Sequence, residues 1–132
     1  MTLRGCWLPG ALLLASAGLS AAPCPPPDPL ATVVEADQTR IAWRVESAPI
    51  AVAQPFVLLI DVCPAESVLR RIDATMPEHR HGMNYRPLLQ PLGNGRWRVE
   101  GLMWHMPGRW EMVFDLRAGG RDVQLRDSVL LR

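Results

Sequence analysis

From position 39 onward the apolar residues of this chain recur at every second position, in short bursts closed by glycine or proline. At 39–46, Ile41, Trp43 and Val45 fall on one side and Arg40, Arg44 and Glu46 on the other, the period of two that marks a half-buried strand. Residues 56–62 are an apolar run broken only at Asp61 and ended by Cys63-Pro64, a pattern that suits a central strand buried on both sides. Val68–Met76 is a third candidate, stopped by Pro77. The turn signal Gly93-Asn94-Gly95 leads into 96–102, where Trp97 and Val99 alternate with Arg96, Arg98 and Glu100. After Pro107-Gly108, alternation resumes with Trp110, Met112, Phe114 and Leu116 inward, and Gly119-Gly120 turns the chain into 123–126 and a last apolar stretch ending at Leu131. Short alternating segments with turns about every ten residues predict an all-β sandwich of about seven short antiparallel strands. No stretch from 39 onward carries a helical stripe, and there is no internal repeat. The inward set of Trp97, Val99, Trp110, Phe114 and the run at 56–60 is the predicted core.

The opening of the chain follows a different logic. One cation, Arg4, precedes an apolar run at 7–19, and Ser20-Ala21-Ala22 supplies small side chains. Thirteen apolar residues fall short of the about 20 that span a bilayer, and the arrangement is that of a cleavable signal peptide over 1–22. Cleavage after Ala22 leaves Pro23 next, an unfavourable residue there, so Ser20 and Ala21 stay open as alternative ends. A Pro-rich leader over 23–38 then precedes a single domain over 39–132. The expected location is periplasmic or secreted. The alternatives are an uncleaved signal acting as anchor and a lipidated Cys24, the second disfavoured by Pro23 where a lipobox takes Gly, Ala or Ser. No later segment is long and apolar enough to cross a membrane.

Charge and cysteine content narrow the partners. All fourteen basic residues are arginine and face thirteen acidic ones; with Arg4 removed the balance is thirteen against thirteen. A near-neutral chain argues against nucleic acid and anionic membrane surfaces, which favour a basic excess. Of three cysteines, Cys6 belongs to the signal, leaving Cys24 and Cys63. In an oxidising compartment such a pair is most simply a disulfide. The competing reading makes Cys63 a thiolate metal ligand.

One segment breaks the strand pattern: Met76-Pro77-Glu78-His79-Arg80-His81-Gly82-Met83-Asn84. In extended backbone His79 and His81 project to the same side, so both imidazoles can hold one metal ion, with a thioether from Met76 or Met83 completing the site. Imidazole suits zinc and copper, and thioether tilts the choice towards Cu(I). Glu78 is a further ligand candidate, or a support for an imidazole from behind. The third histidine, His105, lies between Met103 and Met106. Taken alone it reads as a packed residue near a hairpin, since Met is a common core filler. It becomes a third imidazole if the fold brings that strand end against the loop. No Ser or Cys nucleophile in a recognisable setting, no paired carboxylates and no phosphate-binding glycine loop are present, so no catalytic residue is assigned and an enzyme is not expected.

Three motifs in order carry a resemblance: Met-Pro-x-His-x-His-Gly-Met at Met76 to Met83, Gly-x-Gly-Arg-Trp-x-Val-x-Gly-Leu at Gly93 to Leu102, and Met-Pro-Gly-Arg-Trp-Glu at Met106 to Glu111. Over roughly Arg40 to Arg126 the chain resembles the YtkA-like domain family, related in appearance to the FixH group. The resemblance implies an immunoglobulin-like β-sandwich exported from the bacterial cytoplasm. It also implies a setting beside heavy-metal efflux, copper handling or cytochrome functions, with no single defining activity. Carried over by position, the His-x-His-Gly-Met motif falls on His79, His81, Gly82 and Met83. The second motif, on Met106, Pro107, Gly108 and Trp110, reads as a turn with its packing Trp. The Cys24 and Cys63 pair is additional to the family pattern. The functional expectation is a copper-binding protein whose metal ligands come from His79, His81, Met83, Met76 and His105. Its expected partner is a periplasmic or membrane-bound metal-handling or cytochrome protein. The alternative is an interaction module that assists a membrane or haem-protein assembly.

Overall fold

The alternating segments become strands of two antiparallel sheets. The structure, a computed structural model, describes residues 24–47 and 49–132; the expected signal peptide lies outside the described residues. In chain order the strands are β1 (Thr32–Ala36), β2 (Thr39–Val45), β3 (Pro55–Cys63), β4 (Val68–Met76), β5 (His81–Gly82), β6 (Leu88–Gly93), β7 (Arg96–Met103), β8 (Gly108–Ala118) and β9 (Arg121–Leu131). One sheet runs β1-β2-β3-β7-β6 and the other β5-β4-β8-β9. The chain crosses between sheets after β3, β5 and β7, and every pairing is antiparallel.

The inward faces meet in one core. Ile41, Leu58, Ile60, Val62, Val99 and Leu102 from the first sheet pack with Ile72, Met76, Trp110, Met112, Phe114, Leu116 and Leu125 from the second. Trp110, Phe114 and Val99 are fully buried, as their alternation predicts. Trp97 lies at the rim and is half-buried.

The strand count departs from about seven for identifiable reasons. Residues 121–131 form one continuous strand rather than two segments. β1 lies inside the stretch read as leader and pairs with β2 from Thr32↔Trp43 to Ala36↔Thr39; as a mostly exposed edge strand it has no apolar face to announce it. β6 contains Pro91, which weakens a strand reading, but it is the outer strand of its sheet, where a residue without an N–H is tolerated. The run in β3 is also not buried on both faces: Phe56, Leu58, Ile60 and Val62 are buried, while Val57, Leu59 and Asp61 are half-buried.

The Pro-rich tract is pinned along the outside of the first sheet. Cys24 and Cys63 form a disulfide with Cα atoms 5.3 Å apart. The Arg40 guanidinium donates to the Pro25 carbonyl at 3.0 Å, and Arg44 pairs with Asp28 at 2.8 Å. Pro26 and Pro27 share a cleft with Leu59 and Trp97, which accounts for the half-burial of outward residues on β3. At the β6–β7 turn a Cβ on Gly95 (φ 75°) would stand 2.6 Å from the Val62 carbonyl oxygen, while the Val62 N–H donates to the Gly95 carbonyl at 2.8 Å. Only glycine permits that approach.

Candidate metal site

The histidines gather at the end of the sandwich away from the disulfide. At this end β3 begins at Pro55, paired with Met103, β4 finishes at Met76, and β8 starts at Gly108. Cys63 closes β3 at the other end, and its sulfur is bonded to Cys24, so the thiolate-ligand reading of Cys63 does not apply.

The β4–β5 hairpin sets the first two imidazoles. Thr75 pairs with Gly82 and Met76 with His81. The His79 N–H donates to the Met76 carbonyl at 3.1 Å, and the Met83 N–H to the Ala74 carbonyl at 3.0 Å. Directly opposite residues of an antiparallel pair project to one face, so His81 leaves the strand on the side of Met76, which faces the core. Residues 77–80 form a turn rather than extended strand, with Arg80 at φ 53°. The expected extended backbone between His79 and His81 is therefore absent, because the chain must reverse within four residues. Their rings nonetheless lie on one side, stacked at 28° with centroids 6.4 Å apart.

His105 arrives from the β7–β8 connection. Its neighbours are held: the Trp104 carbonyl accepts the Ala53 N–H at 2.7 Å, and the Met106 carbonyl accepts the Trp110 indole N–H at 3.1 Å. Beneath it Trp104 and Trp110, both fully buried, stack at 5° with centroids 5.2 Å apart. Phe56 meets Trp104 edge-on at 5.2 Å. His105 stands edge-on to Trp110 at 5.6 Å and edge-on to His81 at 5.7 Å. The fold thus does bring the Met103–Met106 strand end against the loop. All three imidazoles are solvent-exposed above an apolar floor.

The methionines occupy distinct places. Met76 is fully buried opposite His81, and a Cβ on Gly108 (φ 130°) would stand only 2.5 Å from its terminal methyl carbon. The absence of a side chain at Gly108 therefore makes room for the Met76 thioether. Met83 and Met106 are half-buried against the core margin, Met83 two residues beyond His81 and Met106 next to His105. Met103 is half-buried on β7. Glu78 and Arg80 are both exposed in the turn, and their charges offset each other.

Geometry can be tested against what one ion requires. An imidazole nitrogen binds a first-row ion at about 2.0 Å, which puts the ring centre about 3.1 Å from the metal. Two rings on one ion then stand about 4.4 to 6.2 Å apart as the angle between them opens from a right angle to a straight line. The 5.7 Å between His81 and His105 falls inside that range, and the 6.4 Å between His79 and His81 lies just past its outer end. Among the described residues no group of three or more His, Cys, Asp or Glu is placed to hold a metal ion. The His81–His105 pair needs a donor of another kind, and the nearby soft donors are thioethers.

Sequence reasoning missed a second polar feature. Arg70, Arg71 and Arg86 line a cleft in the seam between the sheets, with Met83 on its wall. Compared with protein-family models, with curated proteins and with solved structures, the chain matches none.

Proposed function

We propose that this protein binds one copper ion at the exposed end of its sandwich, through His81 and His105 with the Met76 thioether as a soft third donor and His79 beside them. The proposal includes an extracytoplasmic setting, in which the protein stores copper or passes it to a partner. The observation that carries it is the 5.7 Å separation of the His81 and His105 rings, which come from β5 and from the β7–β8 connection, 24 positions apart in the chain, and meet over a packed indole stack. Donor chemistry selects the metal: imidazole with thioether and no thiolate favours copper, and Cu(I) above Cu(II) or zinc. The disulfide supports the setting, since such bonds persist in oxidising compartments. The three sequence motifs that resemble those of YtkA-like domains are in keeping with this reading.

The deciding experiment is a competition titration with Cu(I) on the mature, unreduced protein and on the His81→Ala/His105→Ala double variant. The expected result is one ion per chain in the parent and a loss of at least a hundredfold in affinity in the variant. Affinity also falls on acidification, because a protonated imidazole has no lone pair to offer. Equal binding by the two proteins, or parent binding no tighter than millimolar, overturns the reading in favour of an interaction module.

A further inference from the structure

The seam cleft has a chemistry of its own. β5 pairs only with Thr75 and Met76 of β4, so the stretch of β4 before Ala74 presents an open edge towards β6, the outer strand of the other sheet. The cleft between them measures about 520 Å³, within the range of about 300–1,000 Å³ usual for small-molecule sites. Its register is unusual: Leu69 pairs with Leu116 and Arg71 with Asp115, leaving Arg70 as the extra residue of a β-bulge. A bulge turns a side chain away from strict alternation, and Arg70 and Arg71 are accordingly both exposed on consecutive positions. Tyr85 and Arg86, also in the lining, come from the segment that follows Met83.

The charge there is unbalanced. Three arginines and one carboxylate, Asp73, line the cleft, a local formal charge of 3 − 1 = +2 in a near-neutral chain. Asp73 is already engaged, pairing with Arg71 and accepting the Ala74 N–H at 2.9 Å, and Arg71 also reaches Asp115 at 3.6 Å. Arg71 is thereby neutralised. Neither Arg70 nor Arg86 takes part in any ion pair among the described residues. One guanidinium from β4 and one from the 83–87 segment, with an exposed phenol and an amide just before Arg86 in the chain and Ile72 and Leu89 in the lining, match a small molecule with two anionic groups. Guanidinium is the side chain best suited to bidentate recognition of carboxylate and phosphate.

We propose that this cleft binds a small organic or inorganic polyanion through Arg70 and Arg86, independently of the copper site. Carboxylate and phosphate offer the same oxygen chemistry, so citrate and inorganic pyrophosphate are the two probes. Calorimetric titration of the metal-free, disulfide-intact protein is the experiment. One saturable site per chain is expected for at least one probe, and the stronger probe identifies the anion class. Arg70→Ala/Arg86→Ala should weaken it at least tenfold with thermal stability kept, both side chains being exposed. The control, Arg121→Ala/Arg132→Ala, removes two exposed arginines outside the cleft and should leave affinity unchanged. No saturable binding of either probe below about 10 mM, an unaffected cleft variant, or an equal loss in the control overturns the proposal.

Discussion

Trp110→Ala should bring this domain close to unfolding. The indole is fully buried, stacks on Trp104 at 5.2 Å, and donates to the Met106 carbonyl at 3.1 Å. A buried Trp removes up to about 250 Å² from water, an upper bound near 6 kcal/mol at about 25 cal/mol per Å². Alanine retains part of that burial and the surroundings partly collapse, so the measured range for such truncations is about 3–5 kcal/mol. The lost stack adds about 0.5–1.5 kcal/mol, and the Met106 carbonyl forfeits its donor, about 1 kcal/mol. These contributions overlap, and about 4–5 kcal/mol is the expected total, against a whole stability of about 5–15 kcal/mol. At about 4–8 °C per kcal/mol for a domain near 100 residues, Tm should fall by at least about 15 °C. Thermal and urea unfolding followed by circular dichroism measure it. Trp110→Phe keeps an aromatic face on Trp104 and loses chiefly the hydrogen bond and part of the ring, so it should cost about 1–2 kcal/mol. A drop of less than about 5 °C in Trp110→Ala would refute the claim that the stacked pair anchors this end of the core.

Further outcomes follow from other contacts. Replacing both Cys24 and Cys63 by Ser opens a link across 39 positions and should lower stability by about 4 kcal/mol on the chain-entropy model, read by denaturant unfolding; thiol counting on the unreduced parent should find none free. Met76→Leu nearly conserves core volume and should cost under about 1.5 kcal/mol, yet weaken Cu(I) tenfold or more while leaving Zn unchanged; Met83→Leu is the comparison and should change Cu(I) affinity less. The Arg98 guanidinium hydrogen-bonds Glu46 and holds its carboxyl below the usual Glu range. A depressed carboxyl stabilises the fold above its unfolded pKa and stops doing so as pH falls through its folded value. Acid titration of stability should therefore show a loss below the ordinary Glu range in the parent that is absent in Glu46→Gln.

Where the periodicity of two was strong the fold was legible. Ile41, Val99, Trp110 and Phe114 face inward as their spacing requires, because a strand with one buried face has no other register. Edge elements were harder to see. β1 is exposed along most of its length and β6 carries Pro91, and neither has the apolar alternation by which a strand is read. The His79–His81 pair was visible in sequence, but its backbone is a turn, since β4 and β5 are adjacent arms of one hairpin. His105 could be placed only conditionally: its approach to His81 depends on β4 and β8 pairing side by side, a long-range contact that local spacing does not encode. The arginine cleft was invisible for the same reason. Arg70 and Arg86 lie on separate segments, and the bulge that exposes Arg70 is a property of the register with β8 rather than of β4 alone.

The central claim is that His81 and His105 act on one ion. The most direct measurement is two-bond proton–nitrogen spectroscopy of the three imidazoles in ¹⁵N-labelled, unreduced protein, titrated anaerobically with a Cu(I)–acetonitrile complex. Cu(I) is diamagnetic, so a ligating ring nitrogen shifts without being broadened away. A ring nitrogen of His81 and one of His105 should move together, saturate at one equivalent, and no longer move when the partner histidine is replaced by Ala. Independent titration of the two rings, or no shift in either by several equivalents, would contradict it.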